Sequence, residues 1–207
     1  MAARQWMFAA VVGAAILTAA IATPVEASQS SAARERSDKI VAEAEVLINQ
    51  AGRSDPLDTE KVRRAIDKLR DALAVDPRND SAYVDLGFSY GLLRDPSTAV
   101  DMYVKATQIN PSPANYKELA DIYLRVGDPA SALMAANGGL IKNPKDAKLQ
   151  NAKGMALLDL ARPDEAAIAF RKAVELDPTF TVARDNLRAV NERAAHHASG
   201  GAQRGSN

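Results

Sequence analysis

Residues 171–180 read RKAVELDPTF. Ala173, Val174 and Leu176 carry a helical apolar pattern, and Asp177–Pro178 ends it, because proline lacks the amide hydrogen that the next turn would need. Near-copies stand upstream: RDALAVDPRN from Arg70, VKATQINPSP from Val104 and NGGLIKNPKD from Asn137. Their prolines, Pro77, Pro111, Pro144 and Pro178, are 34, 33 and 34 residues apart. A stop signal kept in phase over four copies marks a structural repeat, and a period of this size means modules that stack.

Aligned from Asp80, Pro113 and Ala147, three units share one pattern. A first helix carries Tyr83, Leu86, Gly87 and Tyr90; then Tyr116, Leu119, Ala120 and Tyr123; then Gln150, Lys153, Gly154 and Leu157. A turn follows, and a second helix places Ala99, Tyr103 and Ala106 on one face, with counterparts Ala132, Ala136 and Gly139, and Ala166, Phe170 and Ala173. Small residues let the two helices of a hairpin approach closely, and Tyr103 and Phe170 fill the gap to the next unit. Pro96, Pro129 and Pro163 fall at the starts of second helices, where a missing N–H costs little. Gly138–Gly139 has two readings: a small slot for tight packing beside Gly154, or a soft joint in the stack.

This pattern resembles the tetratricopeptide repeat family over Asp80 to Pro178, with AKGMALLDLARPDEAAIAFRKAVELDP as the best unit. The resemblance implies an all-α, right-handed α-solenoid of helical hairpins with a C-terminal capping helix. Gln150 and Lys153 depart from it, being polar where the family prefers an aromatic and a leucine, and Ala136 and Gly139 leave their helix underfilled. A degenerate repeat covers 37–77, with SDKIVAEAEVLINQA as first helix and Ala65, Leu69 and Ala72 in the second; full repeats cover 80–111, 113–144 and 147–178; the capping helix spans 180–195. Each hairpin has apolar faces that only its neighbours bury.

The ends differ from this body. Met7 to Ala22 is an uncharged apolar run after Arg4, and TPVEAS places small residues at Val25 and Ala27, so residues 1–27 are expected to be a secretory signal peptide cut after Ala27. A chain working in the periplasm or secreted follows from that. The run's sixteen residues rise about 24 Å as a helix, short of a membrane's hydrocarbon core. If it is retained, the chain is a membrane-tethered scaffold. Residues 28–36 are expected to form a flexible leader and 196–207 a disordered tail.

Composition narrows the chemistry. Basic and acidic residues balance at 26 each, so nothing draws the chain to nucleic acid. There is no cysteine, which excludes disulfides, thiolate metal sites and a lipid-modified N-terminal cysteine. The two histidines, His196 and His197, lie in the tail. GFSYG around Ser89 has the letters of a nucleophile elbow, but the repeat phase puts it inside a helix, where the required strand is missing. Asp164 and Glu165 suit a helix start. The expectation is a non-enzyme with no catalytic residue, no metal site, no cofactor and no small-molecule substrate.

In the tetratricopeptide repeat family the first helices line a concave face. That resemblance points Ser81, Val84 and Phe88, Lys117, Asp121 and Leu124, and Lys148, Asn151 and Met155 inward. Apolar anchors among isolated charges suit a protein or peptide partner. The family's clamp for C-terminal carboxylates uses a Lys and an Asn where this chain has Val84 and Phe88, and Lys148 with Asn151 does not rebuild it. LQNAKGMALLDLARPDEA also looks like the repeat proteins of Flp/Tad pilus assembly, many of which carry a lipid-modified cysteine that this chain lacks. The implied role is an extracytoplasmic scaffold, with an accessory lobe of an envelope enzyme as the alternative.

Overall fold

A computed structural model describes the backbone of residues 24–204 and the side chains of 29–195. Nine α-helices and no strand make up the described residues: α1 (Pro24–Gly52), α2 (Thr59–Val75), α3 (Asp80–Leu92), α4 (Pro96–Ile109), α5 (Pro113–Val126), α6 (Pro129–Lys142), α7 (Ala147–Asp159), α8 (Pro163–Leu176) and α9 (Thr181–Arg204). Successive pairs form four hairpins, each second helix packs on the next first helix, and α9 closes the stack against α8. The fold is an all-α solenoid of helical hairpins.

The phased residues set the boundaries. Pro96, Pro129 and Pro163 are the first residues of their helices. The Asp95 and Asp128 carboxylates accept the otherwise unpaired amides of Thr98 and Ser131 at 3.1 and 3.0 Å. First helices are capped in the same way by Asn79, Ser112 and Asp146. At the other end, Asp76, Asn110, Asn143 and Asp177 leave the helix in extended conformation, each amide still bonded to a carbonyl four residues back. Three of these side chains also accept the amide two residues on, at 2.9 Å from Arg78, 3.2 Å from Lys145 and 2.9 Å from Thr179. The Asx-Pro pair therefore stops the helix and satisfies the backbone it frees.

The turn inside each of the three full repeats, α3–α4, α5–α6 and α7–α8, holds one left-handed residue: Arg94 (φ 58°), Gly127 (φ 78°) and Ala161 (φ 57°). Only glycine adopts this region without steric penalty. Ala161→Gly is expected to raise stability by about 0.5–1 kcal/mol, the relief of left-handed strain less the extra freedom of an unfolded glycine. Thermal unfolding checks it, and a lower Tm would contradict the shared turn geometry.

Packing inside the hairpins follows the small-residue slots. Ala99, Ala106, Ala132, Ala136, Ala166 and Ala173 are fully buried. A Cβ on Gly87 would lie 2.8 Å from the Tyr103 ring, and one on Gly154 would lie 2.5 Å from the Phe170 ring. The double glycine is tightly packed, though not against Gly154. A Cβ on Gly138 would meet the Tyr116 ring at 2.7 Å, and one on Gly139 would meet Leu149 at 2.6 Å. Tyr116 and Leu149 take up the space that the underfilled second helix leaves.

Both ends depart from expectation. The leader expected to be flexible over 28–36 is helical, as part of α1. Arg34 ties it down: its guanidinium donates to the Arg78 carbonyl at 3.1 Å and to Asp80 at 3.2 Å, and pairs with Asp38 at 3.1 Å. Buried Ser37 donates to the Ala72 carbonyl at 2.9 Å and accepts from Asn79 at 2.8 Å. The expected cut after Ala27 falls in this helix's first turn. At the other end α9 runs to Arg204, so the tail expected to be disordered from 196 is helical to that point. Extending a formed helix adds one hydrogen bond per residue fixed, and no proline interrupts it. Residues 1–23, the bulk of the expected signal peptide, and 205–207 lie outside the described residues. Among those described, no helix is long and apolar enough to cross a membrane.

Candidate functional site on the first helices

Two pairs of successive first helices approach one another, α1 with α3 and α5 with α7, whereas neither α3 with α5 nor any pair of second helices makes a comparable contact among the described residues. The layer of first helices is therefore the closer-spaced one and forms the inner face of the stack.

The residues expected on this face divide into three groups. Phe88, 46% exposed, and Met155, 39% exposed, present large apolar side chains to solvent. Ser81 and Lys148 are exposed, and Val84 and Leu124 are half-buried. Lys117 and Asp121 form an ion pair at 2.8 Å, one turn apart on α5. Glu118, not singled out in the sequence, accepts a second bond from the Lys117 ammonium at 3.0 Å. Burial works against that ammonium, but the bonds it donates to Asp121 and Glu118 outweigh burial and raise its pKa.

Asn151 differs from its neighbours. It is 7% exposed, its oxygen accepts from Asn186 of α9 at 2.9 Å, and its amide reaches the Met155 sulfur at 3.6 Å. It is a floor strut joining α7 to α9 and orienting Met155, not a group offered to a partner. The sequence signal for Asn186 was its place in the capping helix; nothing local pointed to the bond.

Asp85 is the unexpected titratable group. One of its carboxylate oxygens is buried without a hydrogen-bond partner, as is the hydroxyl of Ser89 one turn on. Burial, with the Glu45 carboxylate of α1 adding to it, pushes the Asp85 pKa up to about 7. Ser89, the centre of GFSYG, is fully buried inside α3, out of reach of any substrate.

Two family models, both described as tetratricopeptide repeat, match residues 80–113 and 117–179. Residues 80–113 and 117–179 are tetratricopeptide repeats. The chain is 32% identical over 110 residues to a small glutamine-rich tetratricopeptide repeat-containing protein 2 of Mycosarcoma maydis, covering 53% of this chain and 31% of that protein. The chain thus spans less than a third of that relative's length. Among solved structures it is similar to pilF of Pseudomonas aeruginosa, with a TM-score of 0.67 at 15% identity, covering 82% of this chain and 72% of that one. It is also similar to the first tetratricopeptide repeat domain of Spaghetti (RPAP3), solved with the HSP90 peptide SRMEEVD, with a TM-score of 0.54 at 24% identity, covering 57% and 97%. At such identities these two likenesses speak for the fold.

Proposed function

We propose that this tetratricopeptide-repeat chain is a non-catalytic scaffold that works outside the cytoplasm and holds a peptide or short helix of an envelope protein across its first helices. The carrying observation is the row on that face: Phe88 and Met155, large and apolar yet exposed, on either side of the Lys117–Asp121 pair. Exposed apolar anchors spaced along an extended surface, with charges between them, suit the alternate side chains of a bound segment. The RPAP3 domain binds its HSP90 peptide on the same architecture, which supports a peptide partner here. An acidic C-terminus of that kind is not the expected ligand, because Val84 and Phe88 occupy the positions where the clamp carries its Lys and Asn. The extracytoplasmic site rests on the apolar segment at 7–22 and the small residues at 25 and 27. A part in Flp/Tad pilus assembly rests on the likeness of residues 149–166.

Capture from envelope extracts with wild type and with the Phe88→Asp, Lys117→Glu double variant tests the face. The variant is expected to lose at least nine-tenths of the captured partner while keeping wild-type helicity, and unchanged capture would overturn the reading. Intact mass of the chain from cells is expected to show a start after Ala27. A membrane-bound chain beginning at Met1 would instead favour the tethered scaffold.

A further inference from the structure

The first two full repeats close the seam between their helices with an aromatic ring, and the third does not. In the first, the Tyr83 ring of α3 lies under Lys105 of α4, whose ammonium is 5.7 Å from the ring centroid. In the second, the Tyr116 ring of α5 lies against Gly138 of α6, close enough that a Cβ there would sit 2.7 Å away. One repeat further on, these two positions are Gln150 of α7 and Lys172 of α8. Here the seam is open. A cleft of about 450 Å³ is lined by Gln150, Lys153, Leu157, Ile168, Arg171 and Lys172, and it reaches down to Ala169, which is 3% exposed. Its volume falls within the range of cavities that hold ligands.

The rim carries charge of one sign to spare. Glu165 is engaged by Arg162 at 2.7 Å and Glu175 by Lys172 at 3.1 Å. Among the described residues Lys153 and Arg171 make no ion pair within 4 Å, although the Lys153 charge reaches Glu165, whose pKa is lowered by Arg162 first and by Lys153 in addition. Ile168, 62% exposed, forms an apolar lip. The cleft therefore offers an apolar floor, an ammonium in the register that covers Tyr83, and two cations, Lys153 and Arg171, held in no ion pair.

We infer that the α7–α8 cleft is a second docking site, separate from the face of the first helices, which accepts an aromatic side chain of a partner protein flanked by acidic residues. The aromatic ring would occupy the slot that Tyr83 and Tyr116 fill from within their own repeats. Lys172 would cover it as Lys105 covers Tyr83, an arrangement favoured by the ring's quadrupole. The flanking carboxylates would meet Lys153 and Arg171.

The probe is the capped tripeptide acetyl-Asp-Tyr-Asp-amide, titrated into the methyl-labelled full chain and followed by NMR. The Leu157 and Ile168 methyls and the Ala169 methyl are expected to shift together. Acetyl-Asp-Ala-Asp-amide is expected to bind at least tenfold more weakly. Gln150→Tyr, which supplies the ring from within, is expected to weaken the tyrosine peptide at least tenfold and to raise Tm. Ile168→Asp, at an exposed position that leaves the core intact, is expected to weaken it similarly. Equal binding of the alanine peptide would mean a purely ionic contact and would overturn the inference, as would unmoved methyls or full binding by both variants. Self-association of the chain that Gln150→Tyr abolishes would place a second copy in the cleft and would overturn it too. None of these readouts depends on Phe88 or Lys117, so failure here is distinguishable from failure of the first-helix face.

Discussion

Gly154→Ala is expected to destabilise the protein by about 2 kcal/mol, although alanine is ordinarily worth about 1 kcal/mol more than glycine inside a helix. The sign reverses because of what stands opposite. A Cβ on Gly154 would lie 2.5, 2.6 and 2.9 Å from three atoms of the Phe170 ring, closer than real carbon contacts allow. Phe170 is fully buried and sits in the apolar cluster with Leu157, Ala166, Ala169 and Val190. The ring is enclosed by this cluster, so α7 and α8 must separate or Phe170 must leave its rotamer. Overpacking of this sort typically costs about 1–3 kcal/mol. Gly52→Ala is the control, because nothing lies within 4 Å of the added Cβ. Urea denaturation should give Gly154→Ala a lower midpoint with an unchanged slope, and Gly52→Ala a midpoint no lower than wild type. Adding Phe170→Leu to Gly154→Ala should recover part of the loss. A Gly154→Ala protein as stable as wild type would mean that the hairpin is not held at this contact.

That contact shows why the fold was legible in the sequence. Gly154 and Phe170 belong to one helical hairpin, and the repeat presents the same pairing again as Gly87 with Tyr103. Signals that are local and recur in phase can be read without knowing where distant segments go. The prolines, the caps before them and the alanine faces are all of this kind. What escaped the sequence is held by distant partners. Residues 28–36 look like a polar leader because the groups that fix Arg34 stand at Asp76, Arg78 and Asp80, far along the chain. Asn151 looks like a groove residue because Asn186, which claims its oxygen, belongs to the capping helix. The open cleft was foreshadowed by Gln150 and Lys153, noted as departures from the pattern, but a departure in a string does not say whether a neighbour fills the gap. At Gly139 the neighbours Tyr116 and Leu149 do; at Gln150 nothing does.

Asp85→Asn is expected to stabilise the protein by about 2–3 kcal/mol more at pH 8 than at pH 5. Asp85 sits between Val84 and Leu86 on α3, with one oxygen buried and unpartnered, facing the Glu45 carboxylate of α1. Burial first, and then Glu45, push its pKa from an ordinary 3.8 to about 7. The folded chain therefore holds this proton more tightly than the unfolded chain does. The stabilisation that comes with the proton is present at low pH and is lost as pH rises from about 4 through about 7. The upper limit of the loss is about 4 kcal/mol, three units at 1.36 kcal/mol each, and the exposed part of the residue reduces it. Tyr103, across the hairpin on α4, is pushed up to about 12 by burial, with Glu118 and Asp85 adding to it, so it stays neutral throughout this window and supplies no compensating charge. The helix-capping carboxylates act elsewhere on the scale. Asp95 and Asp128 are lowered, by hydrogen bonds to Thr98 and to Ser131 respectively, and their contribution is lost only as pH falls below about 4. Asp80 belongs with them: burial opposes its charge, but Asn110, Asn115 and Arg34 outweigh it and lower its pKa. Urea denaturation of wild type and Asp85→Asn at pH 5 and pH 8 separates the two windows. Wild type should lose stability between those values and the variant should not, because an amide mimics the protonated acid without titrating. A variant shifted equally at both pH values would show that the amide acts through packing, and that Asp85 does not ionise against Glu45 in the folded stack.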